Sequence, residues 1–409
     1  SASGRASGDR SLNRAGRLLV MAQLTLALVI VASAGWMVAS VLVLLHQPLG
    51  FDPSHLLLTG VQIHADGVVP TDNAARTHQV FTQMADDLRH LPGIEAVSAV
   101  NHYPLGGWTN RYDFCSDVHP EDCKHANIHS PDSFTVLPGY FSTLGQTLYS
   151  GSDFTGSDFT GKDSGNHVVI VNHALAQQEW PGQNPLGKRL YTGQTNAWAT
   201  VVGVVGNIHN YDLTTPPVPN LYLPEADNPQ TAMAFMLRTT GDPDALAHEV
   251  RTTIHRLYPD LAFYRLQSMQ ERMSNQTSQR RFLMWLAVAF GLLSLLIAVV
   301  GTYGLLAYEI SLRQKEIGIR IALGSSREGV TTLLLRQESR WILLGTGVGL
   351  LCATLTGYLL RAQFYGSAST TLPVLLGSAT LLIITALGAT LLPARHAAQL
   401  DPVQALRND

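Results

Sequence analysis

"LLVMAQLTLALVIVASAGWMVASVLVLL", Leu18 to Leu45, contains no charged side chain. A helix needs about 20 apolar residues to cross ~30 Å of hydrocarbon, and this run exceeds that. The apolar core of a cleavable signal is shorter, about 7–15 residues, so a retained transmembrane helix is expected. Arg5, Arg10, Arg14 and Arg17 precede the run, whereas His46 to Pro53 hold no Lys or Arg. The positive-inside bias therefore puts the N-terminus in the cytoplasm.

Three further runs are apolar and nearly free of charge: Phe282–Ile310, Trp341–Leu360 and Leu372–Pro393. Together the four explain a composition that is 46% hydrophobic and only 14% charged, where soluble chains carry about 25% charged residues. Alternate crossing places Arg313–Arg340 and the tail from Ala394 inside, and the Arg361–Thr371 link outside. Both inside segments are richer in Arg and Lys than that link, so charge and span count agree. The expected organisation is a linker 1–16, a membrane helix 17–46, an extracytoplasmic block 47–281 and a membrane helix 282–310. A cytoplasmic loop 311–340, a helix 341–361, an outer link 362–371, a helix 372–393 and a tail 394–409 complete it. A net charge of −3, with no basic domain or aromatic–basic interleaving, excludes nucleic acid as a natural partner. The start at Ser1, in the Ser/Gly/Arg-rich stretch SASGRASGDR, reads as a flexible linker of a fragment or a processed chain.

The extracytoplasmic block opens with an alternating run, His55–Ala65, then a helical stretch Thr71–His90 and a strand pattern Gly93–His102. The pattern recurs near its end: strand Ala232–Thr240, helix Asp242–Tyr258 with Asp242 as N-cap, strand Leu261–Gln267. These two β-α-β units, about 53–105 and 226–270, are expected to form one small membrane-proximal α/β subdomain. The Gly-, Asp- and Pro-rich segment 106–225 reads as a mostly β insertion. The fold class is thus a membrane protein with four transmembrane α-helices and a large extracytoplasmic α+β domain.

Several stretches imitate chemical sites. Gly182–Arg189, GQNPLGKR, has the glycine spacing and lysine of a phosphate-binding loop. Arg189 replaces the hydroxyl residue that would hold Mg²⁺, and a helical stretch instead of a strand precedes it. A tight turn built on Pro185 and Gly187 is the expectation. Cys115, His119, Cys123, His125 and His129 could ligate Zn²⁺, but an oxidising compartment favours a Cys115–Cys123 disulfide. Cys352 sits in an apolar run and reads as an inert packing residue. Asp153, Asp158 and Asp163 repeat every fifth residue, which fits no calcium-loop spacing and reads as a turn-rich linker. No cofactor is implied. No GxSxG elbow or HExxH helix is present, so the chain is not expected to be an enzyme. Gly345, Gly349, Ala353 and Gly357 recur every fourth residue and form a small-residue packing stripe. That stripe suits either packing within the bundle or a dimer seam.

"RQKEIGIRIALGSSREG", Arg313 to Gly329, gathers Arg313, Lys315, Glu316 and Arg320 between two apolar runs. Glu316 and Arg320 are four apart and support a helix, Ile317 and Ile321 stack on another face, and Gly324 is a helix stop. A surface anchor explains the basic residues but neither the acidic pairing nor the firm stop. A docking element for a cytoplasmic partner explains all of them.

Arg313–Ser326 together with the tail Pro393–Asp409 resembles the MacB/FtsX-type permease family. So do Pro104–Gly107, Gly139–Gly145, Val168–Leu190 and Val201–Ile208, and the order of one span, an external domain and three spans. The matching positions are Lys315, Glu316, Gly318, Arg320, Ala322, Leu323 and Gly324, and in the tail Pro393, Ala394, Arg395, Ala398, Pro402, Ala405 and Leu406. The resemblance implies an inner-membrane chain with a periplasmic core, both termini cytoplasmic, and a coupling helix seated on a separate cytoplasmic ABC ATPase. It also implies a second permease half or a homodimer. ATP-driven movement would be passed to the external domain, for efflux or export. The linker carries no trace of an attached ATPase, which points to the C-terminal half of a duplicated orphan permease. A signalling subunit that activates a periplasmic enzyme is the alternative, and a membrane-anchored enzyme a weaker one. A periplasmic adaptor or enzyme and membrane lipid complete the expected partners.

Overall fold

The computed structural model describes residues 3–63, 74–107, 109–118, 130–159, 167–312, 327–359 and 367–398. Its elements run α1 (Ser3–Leu45), β1 (Leu56–Gln62), α2 (Ala74–Arg89), β2 (Ile94–Val100), β3 (Asn110–Arg111), β4 (Phe114–Ser116) and β5 (Asp132–Val136). α3 (Tyr140–Leu144), β6 (Leu148–Gly151), β7 (Val168–Asn172), α4 (His173–Glu179), β8 (Arg189–Thr192), β9 (Ala197–Val205) and β10 (Asn220–Pro224) follow. The last are β11 (Ala232–Thr239), α5 (Pro243–Leu257), β12 (Ala262–Ser268), α6 (Met269–Leu312), α7 (Arg327–Leu359) and α8 (Ser367–Ala398). By its contacts the chain divides into a helical unit, Ser1–His46 with Ser278–Asp409, and a sheet unit, Gln47–Thr277.

In the sheet unit, β1-α2-β2 and β11-α5-β12 interleave in the order β12-β1-β11-β2. Each neighbouring pair is antiparallel, so β1 and β2 run the same way on either side of β11. Such a split βαβ arrangement leaves one face for both helices. Phe81, Met84 and Leu88 of α2 recur at helical spacing and bury with Val250 and Ile254 of α5 over Leu57, Val61, Phe235 and Leu237. Each such side chain contributes about 1.5–3 kcal/mol on burial. α5 starts where Asp242 accepts the Asp244 backbone N–H at 3.1 Å and Pro243 fills the first turn.

The segment between β2 and β11 continues the same sheet through β5, β10, β7, β9, β8 and β4, with β3 on β5 and β6 on β9. The small α/β subdomain and the mostly β insertion are thus one sheet. They are joined at the single register pair Val100↔Val136. The seam is narrow because the chain turns out of the ladder at Asn101, whose Oδ1 accepts the backbone N–H groups of His102 and Thr135, both at 3.0 Å. The insertion has its own core, in which Leu175 and Trp180 lie against Val169, Val201, Leu221 and Leu223.

A second tie crosses this seam. After β10 the chain makes a 3₁₀ turn, Glu225–Asp227, whose two carboxylates are buried. His78 of α2 donates from Nδ1 to Glu225, and His167 ahead of β7 lies 3.2 Å from Asp227 Oδ2. One turn thereby holds a histidine from each part of the unit.

In the helical unit, Leu24 and Leu28 of α1 bury with Leu295 and Ala298 of α6, Ile342 of α7 and Leu382 of α8. Among the described residues, four helical stretches are long and apolar enough to cross a membrane: Ala15–Leu45, Met269–Leu312, Ser339–Leu359 and Thr371–Leu391. The helices overrun the apolar stretches, since α6 begins at Met269 and α7 at Arg327. Hydrocarbon thickness limits how many residues must be apolar and sets no limit on the hydrogen-bonded helix that continues into water.

The His78–Glu225 contact makes stability depend on pH. The hydrogen bond to Glu225 outweighs burial and raises the His78 pKa above its ordinary value of 6.5. A raised folded-state pKa contributes stability that is complete below pH 6.5 and is lost as pH rises through the elevated value. Burial lowers the pKa of His102 and gives the opposite slope, so the comparison is between variants. Thermal unfolding of the chain in neutral detergent should show His78→Gln destabilised by about 1.5–3 kcal/mol at pH 6. The gap to the parent chain should close by pH 9, and an equal gap at both pH values would contradict the assignment.

Candidate functional site

Arg313, Lys315, Glu316, Gly318, Arg320 and Gly324 lie outside the described residues, between the end of α6 at Leu312 and the start of α7 at Arg327. The structure defines the helices that carry this motif, and α6 is held by polar contacts close to both of its ends.

Near its C-terminal end, Glu309 accepts from Arg17 of α1. Arg17 Nε and Nη2 each lie 2.9 Å from Glu309 Oε1, with side chains 18% and 5% exposed. The Arg17 guanidinium also lies 5.6 Å from the ring centre of Trp341 on α7. A charge inside an apolar helix bundle is costly unless paired, so this pair fixes α1, α6 and α7 against one another. Farther along, Gln23 Nε2 donates to the Ile297 carbonyl at 3.3 Å. It lies on Gly301, where an added Cβ would stand 2.1 Å from Gln23 Oε1. Gly291 takes Ala34 next, so α6 runs antiparallel along α1.

The small-residue stripe of α7 also receives α1. Thr25 Oγ1 donates to the Gly345 carbonyl at 3.2 Å. A Cβ on Gly349 would sit 2.9 Å from Leu28, and one on Gly357 would sit 2.7 Å from the Trp36 ring. Ala353 is fully buried with Ala32 and Trp36.

The first turns of α6 belong to the sheet unit and are fastened there to the loop after β2. Arg272 Nε donates to the Leu105 carbonyl at 3.0 Å, and Gln276 Nε2 donates to the same oxygen at 2.7 Å. Leu105 is fully buried and its φ of 59° turns that carbonyl toward the helix. The Arg272 guanidinium lies 4.3 Å over the Tyr103 ring.

The imitated sites resolve into turns. Gly182 and Gly187 have φ of 71° and 80°, Lys188 N–H donates to the Pro185 carbonyl at 3.1 Å, and Arg189 starts β8. The stretch follows α4, so its glycines shape a turn. Asp153 accepts the Phe154 N–H at 2.7 Å and Asp158 the Thr155 N–H at 2.6 Å, each within its own turn. Asp163 lies outside the described residues. Among the described residues no group of three or more His, Cys, Asp or Glu converges. Cys115 is buried in β4, and Cys123, His119, His125 and His129 lie outside the described residues. Cys352 is a free thiol, half-buried in α7.

Compared with known families, residues 20–253 match the MacB-like periplasmic core domain and residues 288–402 match the FtsX-like permease C-terminal domain. The chain belongs to the MacB/FtsX permease family. It is 22% identical over 346 residues to the ABC transporter permease YknZ of Bacillus subtilis, covering 84% of this chain and 83% of that protein. The macrolide export ATP-binding/permease protein MacB of Acinetobacter baylyi is 24% identical over 292 residues. That match covers 67% of this chain and 42% of MacB, so the chain spans less than half the length of that relative. The periplasmic region of MacB from Actinobacillus actinomycetemcomitans aligns at 15% identity with a TM-score of 0.38, covering 57% of this chain and 98% of that one.

Membership makes the chain a component of an ABC transporter permease system. The Arg17–Glu309 pair was accessible to sequence reasoning, because a lone acid in an apolar run requires a cation, and Arg17 opens the first run. The Leu105 contact gave no such signal, since its acceptor is a backbone carbonyl. Removing one charge of the pair leaves the other stranded. Arg17→Gln or Glu309→Gln should each lower the unfolding free energy in detergent by about 3 kcal/mol. The double variant should recover most of that loss, whereas additive losses would show that the charges do not act as a pair.

Proposed function

We propose that this MacB/FtsX permease passes ATP-driven movement from a cytoplasmic ABC ATPase to its sheet unit, which stands on the periplasmic side of the bacterial inner membrane. Both termini are cytoplasmic in this reading. The segment Arg313–Gly324 is the coupling helix that seats on the ATPase, and a second permease half or a second copy completes the assembly. The ATP-binding part named in MacB supports a nucleotide-hydrolysing partner, and the export in its name supports an outward direction. A Cys115–Cys123 bridge in the oxidising compartment stabilises the insertion.

The observation that carries this reading is the continuity of α6. It is one unbroken helix from Met269 to Leu312, 44 residues, about 66 Å at 1.5 Å per residue. That is roughly twice the hydrocarbon thickness. Its first turns hold the Leu105 carbonyl, its last turns hold Arg17, and its end lies next to Arg313 in the chain. In this reading, movement applied at Arg313–Gly324 enters α6 at Leu312 and is passed along the helix toward its first turns. Glu316 and Arg320 offer a partner one charge of each sign at helical spacing, and docking fixes the direction of the push.

The test is Glu316→Ala with Arg320→Ala in the chain reconstituted with its ATPase. The variant should insert normally, bind the ATPase at least tenfold more weakly and lose most stimulation of ATP hydrolysis, since two charge-assisted contacts at about 1.5 kcal/mol or more each are removed. A variant that binds and stimulates its ATPase like the parent would overturn the coupling assignment.

A further inference from the structure

β12 is irregular partway along its length. Its pairing with β1 shifts register between Leu58 and Gly60, opposite Tyr264, and Arg265 takes a left-handed φ of 55°. Left-handed backbone is uncommon for a residue with a long side chain, and bulges of this kind re-aim a side chain. The side chain re-aimed here is Arg265, and it approaches another cation. Arg265 Nη1 lies 3.5 Å from Tyr103 Oη, and Arg272 Nη1 lies 3.3 Å from the same oxygen. Two guanidinium groups therefore share one phenol oxygen. None of the described ion pairs involves either arginine.

Two like charges brought together by a strained backbone, without a carboxylate between them, form an arrangement that the fold alone does not reward. The Leu105 contact uses Nε and Nη2 of Arg272 and leaves further N–H groups of both arginines unspent. Gln267, Asn275 and Gln276 line the same surface cavity of about 360 Å³ with the two arginines. Amide donors and two planar forks suit a tetrahedral anion.

We propose that this cavity is a binding site for a phosphate group, held between Arg265 and Arg272 with Gln267 as a supporting donor. Two fixed positive charges match the charge of about −1.5 to −2 on a phosphomonoester and exceed that of a carboxylate. The site is independent of the ATPase docking at Arg313–Gly324, so either can fail alone.

The test is calorimetric titration of the full chain in neutral detergent with inorganic phosphate, together with co-sedimentation of the chain on vesicles of phosphatidylglycerol in phosphatidylcholine. Arg265 is exposed, so Arg265→Gln leaves the fold intact, which an unchanged melting temperature verifies. Arg256→Gln removes the same charge from the exposed face of α5. Phosphate binding that weakens at least tenfold in Arg265→Gln but is unchanged in Arg256→Gln establishes the site with a soluble ligand. The same pattern on vesicles alone establishes it with a lipid headgroup. Binding by neither probe, or equal losses in the two variants, would overturn the proposal.

Discussion

The carbonyl oxygen of Leu105 is where the sheet and the first turns of α6 are joined, and the rest of the account depends on that joint. A carbonyl has two lone pairs. Here Arg272 donates from Nε and Nη2 and Gln276 from Nε2, from successive turns of the same helix. Two side chains one turn apart fix both the position and the rotation of the first turns of α6, which apolar packing alone does not do. The guanidinium lying over Tyr103 adds a third contact from the same loop. In the proposed coupling, this grip is what hands movement of the first turns of α6 on to the loop after β2.

At the other end, the ion pair of Arg17 with Glu309 ties α1 to α6. The glycines placed along α6 and α7 do the same work by shape. Gly291 and Gly301 admit side chains of α1 to the surface of α6, and Gly345, Gly349 and Gly357 admit α1 to α7. In lipid, where apolar surface gains little from being covered by another helix, close backbone approach and a few polar contacts supply the cohesion. The helical unit shows both.

The broad architecture was legible in the sequence because hydrocarbon imposes a coarse rule. Leu18–Leu45 and its three counterparts had to be helices, and the two β-α-β patterns were readable from alternation, the Asp242 cap and helical spacing. Two things were not legible. The interleaving of β1 between β11 and β12 depends on pairing across most of the sheet unit, which local periodicity does not encode. The polar contacts that matter use partners distant in sequence: Arg272 with Leu105, His78 with Glu225, Arg17 with Glu309. Of these, only Glu309 carried a local mark, as an acid in an apolar run. The charged motif itself was the most conspicuous feature of the sequence. Its residues lie outside those described, so its role rests on the family resemblance and on the helices that flank it.

The account requires the two ends of α6 to face opposite aqueous compartments. Two-sided labelling of single cysteines with a membrane-impermeant maleimide tests this most directly, using Ser274→Cys near the sheet and Ser325→Cys beside the charged motif, with the parent chain as background. In cells whose outer barrier alone has been opened, Ser274→Cys should label and Ser325→Cys should not. In inverted inner-membrane vesicles the pattern should reverse. Labelling of both positions from the same side would contradict the account.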